Sequence, residues 1–218
     1  MRRAVVAFAA TLAVGILALL LIGAFDKRDE AFTLGVTEGG PVVTLRPDAR
    51  MCQLPIEAAA DFDAVRFKAG TFGQPGPPLD VTIANPTGQR FYGEGRIEGG
   101  YADDAHVVAD VGHVTAGKQI AVCLENVGDR RVELYGNAAL AHAPSGAVLG
   151  QRALAGDLAV VFLRDDGASL LSLIPDMVDR MSLFHGSWVE PWVVWLLLAL
   201  AFLGVPAIVA VGLARARP

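Results

Sequence analysis

Hydrophobic positions follow two rules along this chain. Near each end they run on without a charge: "AVVAFAATLAVGILALLLIGAF" from Ala4 to Phe25, and "WVVWLLLALAFLGVPAIVAVGLA" from Trp192 to Ala214. A helix rises about 1.5 Å per residue, so either run is long enough to cross a hydrocarbon core about 30 Å thick. Both are predicted to be membrane-spanning helices, with Pro206 tolerated as a kink. The first run also has the parts of a cleaved secretory signal, but its apolar stretch exceeds the ~7–15 residues usual for one. On either reading the middle of the chain is exported.

Between the runs the pattern alternates. "AVRFKA" (64–69), "LDVTIAN" (79–85), "RFYGEGRI" (90–97), "HVVADV" (106–111), "QIAVCLEN" (119–126), "RVELYG" (131–136) and "LAVVFLR" (158–164) are short and rich in β-branched and aromatic residues, the signature of strands. Turn-forming clusters such as "GQPGPP", "NPTG", "TAGK" and "NVGD" separate them. Residues 26–50 read as a lead-in with two edge strands. Seven or more strands at such spacing predict an all-β, antiparallel β-sandwich of immunoglobulin-like or jelly-roll type.

One stretch repeats at helical spacing. In "SLLSLIPDMVDRMSLF" (169–184), Leu170, Leu171, Leu173, Ile174, Met177, Val178, Met181 and Phe184 form an apolar stripe, and Ser172, Asp176, Asp179 and Arg180 take the other side. This juxtamembrane amphipathic helix either lies in the headgroup layer or packs beneath the sandwich. The expected organisation is therefore a tip and first span (1–25), a β-sandwich (26–168), the amphipathic helix (169–187), the second span (188–214) and a tail (215–218).

Charge then orients the molecule. Arg2 and Arg3 precede the first span and Arg215 and Arg217 follow the second, which places both termini in the cytoplasm. Trp188, Trp192 and Trp195 gather where the second span would meet its outer interface. The chain has 18 basic and 23 acidic residues, and without those four arginines the segment between the spans holds 14 against 23, a net charge of −9. Such a segment disfavours nucleic acid and anionic headgroups as partners. Arginine outnumbers lysine 15 to 3, a bias that fits a GC-rich bacterial genome. The expected location is the bacterial cytoplasmic membrane, with the main domain outside.

Candidate chemistry is sparse. Cys52 and Cys123 are the only cysteines, and in an oxidising compartment they are expected to form a disulfide, with two buried thiols as the alternative. The cluster Asp103, Asp104, His106, Asp110 and His113 has metal-ligating side chains, but strand alternation puts His113 on the face opposite His106 and Asp110, so no metal site is expected. Aromatic rings beside carboxylates suit a sugar, which stacks on a ring while acids take its hydroxyls. Phe91, Tyr92, Glu94, Arg96, Tyr101, Asp103 and Asp104 are the candidates, against a reading of core packing and solvated surface. No GxSxG, HExxH or phosphate-binding glycine loop occurs, and neither catalysis nor a cofactor is expected.

The order "MCQLPI", "DFDAVRF", "GPPLDVTI", "QIAVCLENVGDRRVELYG", "LAVVFLRDDGASLLSLIPDMVDRMSLF" and "WVEPWVVWLLL" resembles bitopic membrane proteins of actinobacterial type that accompany cell-envelope glycosyltransferases. The likeness covers about residues 50–215, and its motifs are structural. It implies a galactose-binding-like jelly roll and an accessory role: a noncatalytic module that binds glycan or glycolipid, or docks on a membrane glycosyltransferase, at the outer face. The alternative is an assembly subunit without its own ligand, contacting partner helices through Gly15, Gly23, Gly204 and Gly212. An envelope hydrolase is a third class, without a motif to support it.

Overall fold

The computed structural model of the protein describes residues 2–138, 145–183 and 191–215. Phe184, Trp188 and Arg217 lie outside the described residues. The chain forms two compact units, one from its two ends and one from Asp29–Gly167.

In the end unit, α1 spans Arg2–Phe25. Helix α2 spans Leu170–Leu183, and α3 spans Pro191–Ala199. A π-helical turn, Leu200–Gly204, connects α3 to α4 (Val205–Arg215). Val6–Phe25 and Trp192–Gly212 are each long and apolar enough to cross a membrane. The expected kink at Pro206 takes the form of the π turn, in which the Val205 N–H reaches back to the Leu200 carbonyl. Proline has no N–H to continue an α-helical ladder, and a wider turn relieves the clash of its ring with the preceding turn. Ser169 begins α2, its hydroxyl accepting from the Ser172 N–H at 3.2 Å in place of a missing helical partner.

The second unit is an antiparallel β-sandwich. Its strands are β1 (Lys27–Thr33), β2 (Gly40–Leu45), β3 (Arg50–Glu57), β4 (Phe62–Gly70), β5 (Leu79–Ala84), β6 (Phe91–Ile97), β7 (Ala105–Val114), β8 (Gln119–Asn126), β9 (Val132–Asn137), β10 (Gly146–Leu149), β11 (Arg152–Ala153), β12 (Asp157–Leu158) and β13 (Val161–Ser169). One sheet carries β2–β9–β4–β7 and the other β3–β8–β5–β6. The pairs nest, β2 with β9, β3 with β8, β4 with β7 and β5 with β6, which is the jelly-roll arrangement. β13 and then β1 extend the first sheet beside β4, and β10 and β11 extend the second beside β3.

The interior is mostly aliphatic, with Phe67 of β4 buried in it and a cluster of rings where the terminal strands are fastened. Phe32 of β1 stacks on Phe162 of β13 at 4.1 Å, and Phe62 of β4 meets Phe162 edge-on at 4.9 Å. Such ring pairs add about 0.5–1.5 kcal/mol each beyond simple burial. Among the described residues two fully buried amides bridge the sheets: Asn126 of β8 donates to the Leu45 carbonyl of β2 (3.2 Å), and Gln53 donates to Ser145 Oγ (2.9 Å) and Asp157 Oδ1 (2.8 Å) and accepts from the Leu158 N–H (3.1 Å). The Gln53 amide is thereby satisfied, and it pins β12 to the opposite sheet.

The open side of the sandwich is closed by missing side chains. Gly93 and Gly95 of β6 point inward, and a Cβ there would lie 2.2 Å from the Val111 carbonyl oxygen and 1.9 Å from that of Asp110. Only glycine lets β6 and β7 approach so closely.

Three local departures from the alternating pattern matter. β3 was not among the predicted strands, because Pro55 and three polar residues blur its alternation, yet Met51, Gln53 and Ile56 all point inward. The single strand expected over 158–164 is two, since the chain passes from the edge of β9 to that of β4 after Leu158. In β7, Gly112 (φ 73°) forms a bulge in which residues 111–113 oppose Asp63 alone. The bulge shifts the alternation by one, so His113 faces outward with His106 and Asp110 and not, as strand parity predicts, the other way.

Candidate functional site

Cys52 and Cys123 are bonded, opposite one another on β3 and β8. They lie on the outward face of their sheet, alternating with the buried Met51, Gln53, Val122 and Leu124. The bond ties neighbouring strands, with Cys123 buried and Cys52 half-buried.

The proposed sugar-binding residues separate into two groups. Tyr92, Glu94 and Arg96 belong to β6. Tyr92 is half-buried against the core, with the Lys118 ammonium 4.9 Å and the Arg90 guanidinium 5.5 Å from its ring centre. Glu94 stands outward opposite Thr82, and Arg96 pairs with Asp80 at 3.5 Å. Phe91 is the most exposed ring of this strand, at 67%. Tyr101, Asp103 and Asp104 lie in the loop that follows β6. Strands advance about 3.3 Å per residue, so that loop is roughly 20 Å from Tyr92.

At this second position three loops are knitted into a rim. The Gly76 N–H donates to the Tyr101 carbonyl and the Gly100 N–H to the Gly76 carbonyl, both at 2.8 Å. The Val127 N–H donates to the Pro78 carbonyl, and Gly128 packs flat on Pro77 and Pro78. The Tyr101 ring covers Gly76, where a Cβ would come within 2.1 Å of it. Burial pushes the Tyr101 phenol well above its ordinary pKa, and its hydroxyl has no hydrogen-bond partner among the described residues.

Adjacent carboxylates do different work here. Asp103 accepts from the Thr71 and Gly73 N–H groups (2.8 Å for Gly73), the Thr71 hydroxyl and the Asp104 N–H. These bonds, the Thr71 amide first, hold its carboxyl below the usual 3.8. Asp104 faces the sheet, 3.4 Å from Lys68 Nζ, and accepts from the Tyr135 phenol. That bond, with burial and neighbouring acids, pushes Tyr135 up to about 12.

Asp103 has a visible purpose. Phe72, between its two amide donors, has φ of 58°, a left-handed conformation that bulky side chains avoid, at a cost on the order of 1–3 kcal/mol. The carboxylate braces that turn and holds the Phe72 ring at the surface, 42% exposed. The Arg131 guanidinium lies on the ring, 4.1 Å from its centre.

No protein-family model and no curated protein matches the chain.

The rim therefore includes two residues, Phe72 and Arg131, that sequence reasoning missed. A phenylalanine before glycine reads as an ordinary turn neighbour, and its positive φ leaves no mark in the sequence. Among the described residues no group of three or more His, Cys, Asp and Glu side chains is arranged to hold a metal ion. His113 instead bonds Asp63 through Nδ1 at 2.8 Å, and His106 bonds Glu38 through Nε2 at 3.0 Å.

Proposed function

We propose that the protein is a noncatalytic, membrane-anchored accessory module whose sandwich rim binds a glycan or glycolipid at the outer face of the bacterial cytoplasmic membrane. One observation carries the reading: Phe72 is kept exposed in a costly backbone conformation by a carboxylate devoted to bracing it. A part-exposed ring beside polar groups, here with the Arg131 guanidinium resting on it, is the kind of surface on which the CH face of a pyranose stacks. The two apolar helices support membrane attachment, and their basic flanks favour cytoplasmic termini. The resemblance to partners of envelope glycosyltransferases supports the accessory role.

The test is binding of full-length protein in mild detergent to an array of envelope glycans. Binding that is lost in Phe72→Ala and kept in Tyr92→Ala supports the rim. Equal binding by Phe72→Ala and the native protein would overturn it.

One feature favours the assembly reading as a companion role. Phe8, Thr11, Gly15 and Leu19 of α1 line an apolar groove of about 450 Å³ with Phe202 and Pro206. A partner's transmembrane helix seated there would co-purify with the protein and be lost when Gly15→Leu fills the groove.

A further inference from the structure

We propose that the ligand of the Phe72 rim is an acidic saccharide whose carboxylate or phosphate is held by Arg131. This inference rests on the glycan-binding reading and adds the chemical class of the glycan.

The argument turns on which polar groups at the rim are still available. A site for neutral sugar presents acceptors as well as donors, because each hydroxyl both gives and takes a hydrogen bond. Here the carboxylates beside the ring are engaged, while Asp129, two residues from Arg131, is exposed and lies 3.9 Å from Arg130. Asp103 is saturated by amides and a hydroxyl of its own loop, and Asp104 is held between Lys68 and the Tyr135 phenol. The neighbouring Glu133 takes the Thr44 hydroxyl at 3.4 Å. The donors divide differently. Arg130 donates from Nη1 to the Pro75 carbonyl at 3.2 Å and lies 3.9 Å from Asp129, so it serves the loops. Arg131 is exposed, and among the described residues its guanidinium makes no hydrogen bond or ion pair; its one partner is the Phe72 ring.

A guanidinium resting on a ring is pre-oriented, with its N–H edges open to the side. It takes an oxyanion through two parallel hydrogen bonds, a geometry lysine cannot reproduce. The ring and the cation together match a pyranose that carries an acidic substituent. The domain's net negative charge does not prevent this, because at physiological salt that field decays over about 8 Å, while the hydrogen bonds act at contact.

The experiment titrates the full-length protein in detergent with three oligosaccharides of one backbone: neutral, bearing glucuronic acid, and bearing a phosphomonoester. Native protein is expected to bind at least one acidic form on the order of 10-fold more tightly than the neutral form, and the stronger acidic arm identifies the source of the oxyanion. Arg131→Ala should abolish that preference, and Arg131→Lys should recover only part of it. The proposal is overturned if the neutral form binds native protein as tightly as both acidic forms, or if Arg131→Ala keeps the preference. If Phe72→Ala then still loses neutral binding, only the acidic specificity has failed. If no form binds, or binding ignores Phe72, the glycan reading has failed with it.

Discussion

Asp103 and Asp104 are chemically identical neighbours, and their surroundings give them opposite duties. Asp104 stabilises a neutral phenol: replacing it with Asn should bring the Tyr135 pKa down from about 12 toward its ordinary 10, read from phenolate absorbance during an alkaline titration. Asp103 stabilises a turn, so Asp103→Ala should destabilise the rim and weaken glycan binding together, whereas Asp104→Asn should leave binding nearly unchanged. Asp63 makes a third case. Partial burial pushes its pKa up, but the hydrogen bond from His113, the Asp165 amide and the charges of His113 and Arg164 outweigh that, and the net shift is downward. A carboxylate lowered on folding contributes stability above its ordinary 3.8 and loses it as pH falls through the lower folded value. Asp63→Asn should therefore flatten the acid limb of a stability-against-pH curve while changing its alkaline side little. Residue identity made Tyr101, Asp103 and Asp104 legible as a candidate cluster. It did not reveal Phe72, because a left-handed phenylalanine is set by the carboxylate across the loop and not by its own sequence neighbours.

At the scale of elements, alternation exposed most strands and failed where the backbone itself breaks step. Gly112 reverses the parity of β7 and carries His113 outward, and Pro55 disguises β3. The "YGEG" of β6 reads as an ordinary edge strand, yet its glycines are the contact surface for β7. Gly95→Ala should lower stability by about 1–3 kcal/mol, because its methyl group would meet the Asp110 carbonyl and the two strands would have to part. The loss is measurable as a lower thermal midpoint in the β-sheet circular dichroism of purified protein. The disulfide was legible from compartment and count alone. Its removal by Cys52→Ser with Cys123→Ser should cost up to about 4 kcal/mol on the chain-entropy view, with the native spectrum retained below the transition, since neither cysteine belongs to the core cluster.

For the whole molecule, the apolar ends and the alternating middle announced two spans and a β-domain, because both patterns are local. The jelly-roll type was expected and is found, but the individual strand pairs were not legible, since they depend on which distant segments meet. If both termini are cytoplasmic, a Gln119→Cys substitution should react with a membrane-impermeant maleimide added to intact cells, and Arg215→Cys should not. Nesting also dictates an order of assembly. β5 and β6 need only a short turn to find each other, but among the described residues the strand beside β1 is β13, and Phe32 waits for Phe162 across 130 positions of chain. A polypeptide interrupted before Val161 is left with an unsealed seam, so the last strand to leave the ribosome acts as the latch by which a finished copy differs from an aborted one.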